Sequence, residues 1–306
     1  MSADPTALPE GGVVVLDGGM SNALEDLGRD LTGDLWTARV LREAPDLVAQ
    51  VHRAYYAAGA QVVTTASYQA SVPGFVAAGM ELAEAERLIR RSVTLATQVR
   101  DELAGSGSRR WVAASVGPYG AVLADGSEYR GRYAVPRAEL RAFHRSRLEL
   151  LAGAEPDFLA VETIPDRDEA EVLVELLQEL DLPAWFSYSV AHGRTRAGQQ
   201  LADAFATVAE APSVFAVGVN CCHPGEVADA VRLAVANTGR PAVAYPNSGE
   251  QWDAQRRRWH GGTAFDLGLV PGWVEAGARY VGGCCRVGPE TIGRLAGVVG
   301  DLTAGS

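Results

Sequence analysis

Residues 214–222 read VFAVGVNCC. Apolar side chains follow one another here instead of alternating with polar ones. The run therefore describes a strand covered on both faces, as in a parallel sheet, rather than one with a wet face. It ends on an asparagine and two cysteines. Seven other stretches share this character: VVVLDGG (13–19), QVVTTASY (61–68), WVAASVGPYG (111–120), DFLAVETIP (157–165), PAWFSYSV (183–190), PAVAYPNSG (241–249) and ARYVGGCCR (278–286). The last repeats the pattern of the first, a covered strand that ends on two thiols.

Between most of these runs lie helical patterns. Leu47, Val48, Val51, Tyr55 and Tyr56 share one helix face. Residues 83–105, AEAERLIRRSVTLATQVRDELAG, sort apolar from charged positions at helical spacing and stop at Gly105. Residues 166–183, DRDEAEVLVELLQELDLP, open with acids, as a helix N-terminus prefers, and end at Pro183. Eight strand–helix units with parallel connections predict a closed (β/α)8 barrel of the TIM type. An open doubly wound sheet is the alternative, but no GxGxxG follows the first strand. The reading is one barrel domain over residues 1–306, with 1–10 and 302–306 expected to be flexible ends. One connection is long: AVLADGSEYRGRYAVPRAEL (121–140) is polar and glycine-containing. It reads equally as a binding loop or as a solvated excursion.

Composition narrows the function. The chain has 306 residues, 47% of them hydrophobic and 21% charged, which suits a globular protein with a large core. A net charge of -11 argues against nucleic acid, which calls for clustered Lys and Arg. The N-terminus has no basic and apolar leader pattern, and no apolar run approaches the roughly 20 residues of a membrane helix. A cytoplasmic, reducing setting without membrane contact is the expectation. There, paired cysteines hold metals or do chemistry more often than they form structural disulfides. No long exposed apolar helix stands out, so a monomer is expected.

Barrel active sites lie where the strands end. Asp17, Tyr68, Glu162, Cys221, Asn247, Cys284 and Cys285 all fall at the C-terminal ends of the expected strands. Strands six and eight flank strand seven, and strand eight closes against strand one, so these thiols can meet beside Asp17. Three thiolates with one open position suit catalytic zinc, because soft sulfur selects zinc over hard cations. Neighbours in a regular strand point to opposite faces. Gly282 and Gly283 are therefore read as the backbone freedom that lets Cys284 and Cys285 face one ion. Cys221 directly follows the strand and is favoured over Cys222 as the third ligand. His223 is a possible nitrogen ligand, although a loop histidine beside a proline is more often simply exposed.

Taken together, LDGGM (16–20), DLWTARVL (34–41), GAQVVTTASYQAS (59–71), VETIPD (161–166), GVNC (218–221), YPNSGE (245–250) and GGCC (282–285) resemble the homocysteine S-methyltransferases. The likeness is closest to the branch that uses S-methylmethionine, with S-adenosylmethionine as a further donor. It implies zinc held by Cys221, Cys284 and Cys285. It implies that Asp17 and Glu162 hold the homocysteine amino group, and that backbone amides near Gly18 and at Thr64 or Thr65 hold the amino-acid end. Tyr68 corresponds to a tyrosine that approaches the metal when substrate is absent, and Asn220 to a residue supporting the site. A second cysteine after GVNC, and Arg286 after GGCC, depart from the pattern.

The expected small-molecule partners are homocysteine and a cationic sulfonium donor, whose charge suits aromatic rings such as Trp36 or Tyr119. Two other readings compete. A zinc hydrolase would place water in the open position, but such sites are rich in His and carboxylate, and the five histidines here avoid clear strand ends. A redox sensor would use the vicinal cysteines as a switch.

Overall fold

A computed structural model describes residues 12–31, 36–105, 109–180, 182–253 and 258–304, with the side chains of 36–38, 251–253 and 258–260 left aside. Eight parallel strands form the barrel: β1 (Val14–Val15), β2 (Val62–Thr64), β3 (Trp111–Val116), β4 (Phe158–Ile164), β5 (Ala184–Ala191), β6 (Val214–Asn220), β7 (Ala242–Tyr245) and β8 (Ala278–Val281). Each pairs with its neighbour in sequence and β8 pairs with β1. A parallel bridge between Leu16 and Val62 joins β1 to β2. The barrel expected from the covered strands is present, with all eight runs in place.

Alternation along the strands sorts two cores. One face packs outward against the helices, with Val112, Leu159, Val161, Val217 and Val219 in a single apolar layer. The other fills the barrel, with Val14, Leu16, Val62, Ala113, Ala160 and Ala216 around an aromatic plug. Within the plug Phe158, Tyr245 and Tyr280 lie 5.2, 5.7 and 6.4 Å from Trp185, ring centre to ring centre. Above the plug the inward positions become polar: Ser115 on β3, Glu162 on β4, Ser187 on β5 and Asn220 on β6, all buried. The barrel is therefore closed below by aromatics and floored above by hydrogen-bonding groups.

The strands are shorter than their β-rich runs. Beyond the strand ends the chain leaves the pleat while still spending its amides on neighbouring strands: Asp17 N–H donates to Val62 O, Cys221 N–H to Tyr245 O and Cys284 N–H to Pro246 O. At the C-terminus, Leu302–Ala304 complete the helix Pro289–Ala304, whose buried residues are Ile292, Leu295 and Val299. Residues 1–10 and 305–306 lie outside the described residues. No described helix is long and apolar enough to cross a membrane.

One buried group outside the barrel has a measurable consequence. His52, in the helix Pro45–Ala57, is fully buried and neither ring nitrogen finds a hydrogen bond among the described residues. Burial lowers its pKa from 6.5 to about 4. The unfolded chain then binds more protons than the folded one between those values, so stability falls as the pH drops through that window. His52→Leu is expected to lose about 3 kcal/mol less than the wild type between pH 7 and pH 4. Denaturant titrations at both pH values measure the difference, and equal losses would remove His52 from the acid response.

Candidate active site

The three thiols expected to meet do meet. Cys221 Sγ lies 2.8 Å from Cys284 Sγ and 3.8 Å from Cys285 Sγ. All three sulfurs fall within 4.8 Å of one another, the one such grouping of potential metal ligands among the described residues. An S···S edge of about 3.8 Å is what ~2.3 Å zinc–sulfur bonds give in a tetrahedron, so the longer edge already has that size and the shorter one would open by about 1 Å. Crowding also splits the thiols. Hydrogen bonds from Cys221 and then Cys284 hold Cys285 well below the usual thiol range, while contacts with Cys221 and Cys285 push Cys284 up. Cys222 points away, packed in the helix-side apolar layer. His223 caps its own turn by accepting from Gly225 N–H and does not join the sulfurs.

The glycines before Cys284 act differently from the expectation. Neither Gly282 nor Gly283 has a positive φ, whereas Cys221 (47°) and Arg286 (66°) do. A Cβ on Gly282 would sit 2.6 Å from Leu16 Cβ, and one on Gly283 would sit 2.2 Å from Val287 Cγ1. Their smallness lets the thiol loop press against β1 and its own return, and the bend is taken by the residues around the ligands. Among the described residues, Thr163, Cys221 and Arg286 at this mouth take positive φ without being glycine. Strain of this sort persists where surrounding contacts enforce it.

Those contacts are visible. The β4–β5 register slips between Val161 and Ile164, and this bulge carries Glu162 and Thr163. Asn220 holds it: Thr163 N–H donates to Asn220 Oδ1 at 2.7 Å, and Asn220 Nδ2 donates to Thr163 Oγ1 at 2.7 Å. Ser187 donates to the same Oδ1, and Asn220 Nδ2 lies 4.0 Å from Cys284 Sγ. Asn220 is wholly buried, so its position is that of a brace beneath the sulfurs. Across the mouth, Asn247 Oδ1 accepts from Cys285 N–H, and Arg286 makes a two-pronged ion pair with Glu250.

Beside the sulfurs stand two buried acids. Asp17 Oδ2 accepts from Thr64 N–H at 2.7 Å and from Thr64 Oγ1 at 3.1 Å. Glu162 accepts from Ser115 Oγ. Burial above all pushes both carboxyls up, Glu162 to about 7, and the charge of Glu162 raises Asp17 further. Two carboxylates disfavoured in each other's company make a site that welcomes a cation. The threonine amides implied by the family likeness are already spent, Thr64 N–H on Asp17 and Thr65 N–H on Ala113 O. Thr64 thus orients Asp17, and Gly18 is pressed so closely that an added Cβ would lie 2.0 Å from Val287 O.

Tyr68 reaches the same spot, with the Thr163 hydroxyl in reach of its phenol and Cys221 close enough to disfavour its ionisation. A second tyrosine, not anticipated from the sequence, joins it: Tyr129, from the long loop after β3, brings its phenol close enough to Cys285 to help hold that thiol low. Arg196 lies 5.3 Å over the Tyr129 ring and donates to Cys221 O and Ser189 Oγ. Tyr119 packs on Tyr133 and Phe143 instead. The Trp36 side chain lies outside the described residues.

Comparison with known proteins agrees with this geometry. The homocysteine S-methyltransferase family profile matches residues 14–299. Homocysteine S-methyltransferase 1 of Zea mays is 44% identical, covering 92% of this chain and 93% of its own. Homocysteine S-methyltransferase YbgG of Bacillus subtilis is 43% identical, covering 93% of each. The metallated form of the homocysteine methyltransferase MmuM from Escherichia coli superposes with a TM-score of 0.84 at 42% identity, over 93% of this chain and 96% of that one. A barrel with these relatives along nearly its whole length belongs to the homocysteine S-methyltransferase family, and its activity is methyl transfer to homocysteine.

Proposed function

We propose that the chain uses zinc, held by Cys221, Cys284 and Cys285, to move a methyl group from a sulfonium donor to L-homocysteine, giving methionine. S-methylmethionine is the donor favoured by the sequence likeness, with S-adenosylmethionine a second. The observation that carries the reading is the meeting of three thiols from the ends of β6 and β8 with a buried acid pair. The donor set fits the metal: three soft ligands in one cluster, bracketed by Asn220 and Asn247. Bound there, zinc supplies an open coordination position and holds a substrate thiol as thiolate at neutral pH.

The chain's own residues supply the rest. Asp17 and Glu162 accept the homocysteine ammonium, which relieves their mutual repulsion. Thr64 and Ser115 keep both carboxylates aimed. Tyr68 and Tyr129 wall the side from which a donor enters. In the transfer, the homocysteine sulfur forms a new S–CH3 bond as the donor's C–S bond breaks, and that electron pair stays on the donor sulfur. The donor loses its positive charge and no general base is needed once the thiol is ionised. Holding the two sulfurs in line with the methyl is then the main catalytic task.

The test is metal analysis of protein purified without chelators, followed by initial rates with homocysteine and each sulfonium. About one zinc per chain and methionine formed from S-methylmethionine are expected. Zinc-bound protein that methylates homocysteine from neither sulfonium would overturn the donor assignment.

A further inference from the structure

The loop after β3 is built into the site. Its start is fixed where Tyr119 N–H donates to Glu169, and its end where the Tyr133 hydroxyl donates to the same carboxylate. His144 shares that carboxylate at 2.8 Å. Arg132 N–H donates to Asp166, and a Cβ on Gly131 would lie 2.8 Å from Asp166 Cβ. Between these pins, the short turn Ser127–Tyr129 sets Tyr129 under Arg196, which lies 5.3 Å over its ring and donates to Cys221 O. It also buries the carboxylate of Glu128, which lies close enough to Cys221 and Tyr129 for their charges to act on one another.

Glu128 Oε2 is buried and accepts a hydrogen bond from no described residue. An unpaired buried carboxylate oxygen is costly, and a protein that keeps one beside its reaction centre has a reason to keep it. Its own backbone N–H and the charge of Arg130 favour the carboxylate, yet no cation reaches Oε2 itself. Arg130 turns outward to Asp125, and Arg196 spends its donors on Ser189 and Cys221 O while lying over the Tyr129 ring. The thiols beside it are themselves groups that ionise to negative charge. What Oε2 lacks is a donor, and a positive group brought in from outside would supply one.

We propose that Glu128 receives the α-ammonium of the methyl donor, making it the residue that selects sulfonium compounds carrying an amino-acid head. The proposal rests on the sulfonium-donor reading above. Asp17 and Glu162 lie at the β1 and β4 ends for the acceptor's ammonium, and Glu128, on the loop after β3, stands ready for the donor's. The ammonium keeps its charge throughout the reaction, whereas the sulfonium loses it. A contact with the ammonium therefore strengthens ground state and transition state alike, and its loss shows in KM rather than kcat.

Glu128→Gln keeps the shape and removes the charge. In zinc-loaded enzyme with saturating homocysteine, its KM for S-methylmethionine is expected to rise about 10- to 100-fold, as for the loss of a charge-assisted hydrogen bond. The kcat, the KM for homocysteine and the zinc content stay within about threefold. An unchanged donor KM overturns the proposal. So does a fall in kcat at unchanged KM, which puts Glu128 against the sulfonium, or an equal rise in both KM values, which makes it a brace for the loop. Wild-type enzyme that uses no sulfonium at all fails the donor reading itself, and is recognised before the variant is made.

Discussion

Cys285→Ala is expected to leave cells without stoichiometric zinc and to lower methyl transfer by more than about 100-fold, since replacing groups that merely support a metal ligand already costs 10- to 100-fold. The fold should survive. Cys285 is only partly buried, its N–H goes to Asn247 Oδ1 and its C=O accepts from Ser248 N–H, so the backbone anchors remain when the sulfur goes. Loss of Tyr129's partner is a side effect to be separated from loss of the metal. Tyr129→Phe removes the phenol while keeping three thiols, and should retain zinc. Metal analysis and circular dichroism on both variants decide the matter. A Cys285→Ala protein with full zinc and full activity would end the three-thiolate reading. Cys222→Ala is the internal control, because Cys222 packs among apolar side chains and should keep its metal.

The barrel was legible because strands covered on both faces leave a crude signal: long apolar runs broken by helical periodicity. Counting eight of them was enough to bring Cys221 and the Cys284–Cys285 pair to one mouth. The same crudeness hid the strand ends. In VETIP the β-like composition continues through a bulge at Glu162 and Thr163, and nothing local announces that Thr163 takes a left-handed φ of 59°. That conformation is imposed by Asn220, 57 residues away in sequence. The glycines of GGCC were read as hinges because freedom is the usual reason for glycine. Their actual reason is the approach of Leu16 and Val287, a packing fact that only the closed barrel creates.

Tyr129, Glu128 and Arg196 escaped notice for a related cause. They come from irregular loops, where no periodicity says which side chain turns inward. A polar, glycine-containing stretch looks the same whether it faces solvent or is pinned by Asp166 and Glu169. The feature that points to Glu128 and Tyr129 is the length of their loop itself, since a compact barrel seldom carries such a connection without a use. Tyr119, just before that stretch, is singled out in the sequence by ring chemistry alone. Its backbone serves the pin at Glu169 while its ring packs on Phe143.

Glu162→Ala should raise the KM for homocysteine by about 100-fold while zinc content stays intact. The magnitude follows from removing one partner of a buried charge pair, which costs about 3 kcal/mol or more where the other charge is left behind; each ~1.4 kcal/mol is tenfold in KM. Here the group left behind is the substrate ammonium, still flanked by Asp17 but stripped of its second carboxylate. Because that ammonium is equally charged before and during methyl transfer, kcat should fall far less than kcat/KM. The pH dependence gives a second reading of the same contact. Burial holds Glu162 at about 7, so substrate must meet a carboxyl that is protonated below that value. The KM for homocysteine should accordingly climb as pH falls from 8 to 6, because only the ionised form pairs with an ammonium. In Glu162→Gln, which keeps a side chain for Ser115 to bond but cannot ionise, that climb should flatten and the KM should stay high throughout. An unchanged KM in both variants would take Glu162 out of substrate binding, and a loss of zinc in either would make it a support of the thiols instead.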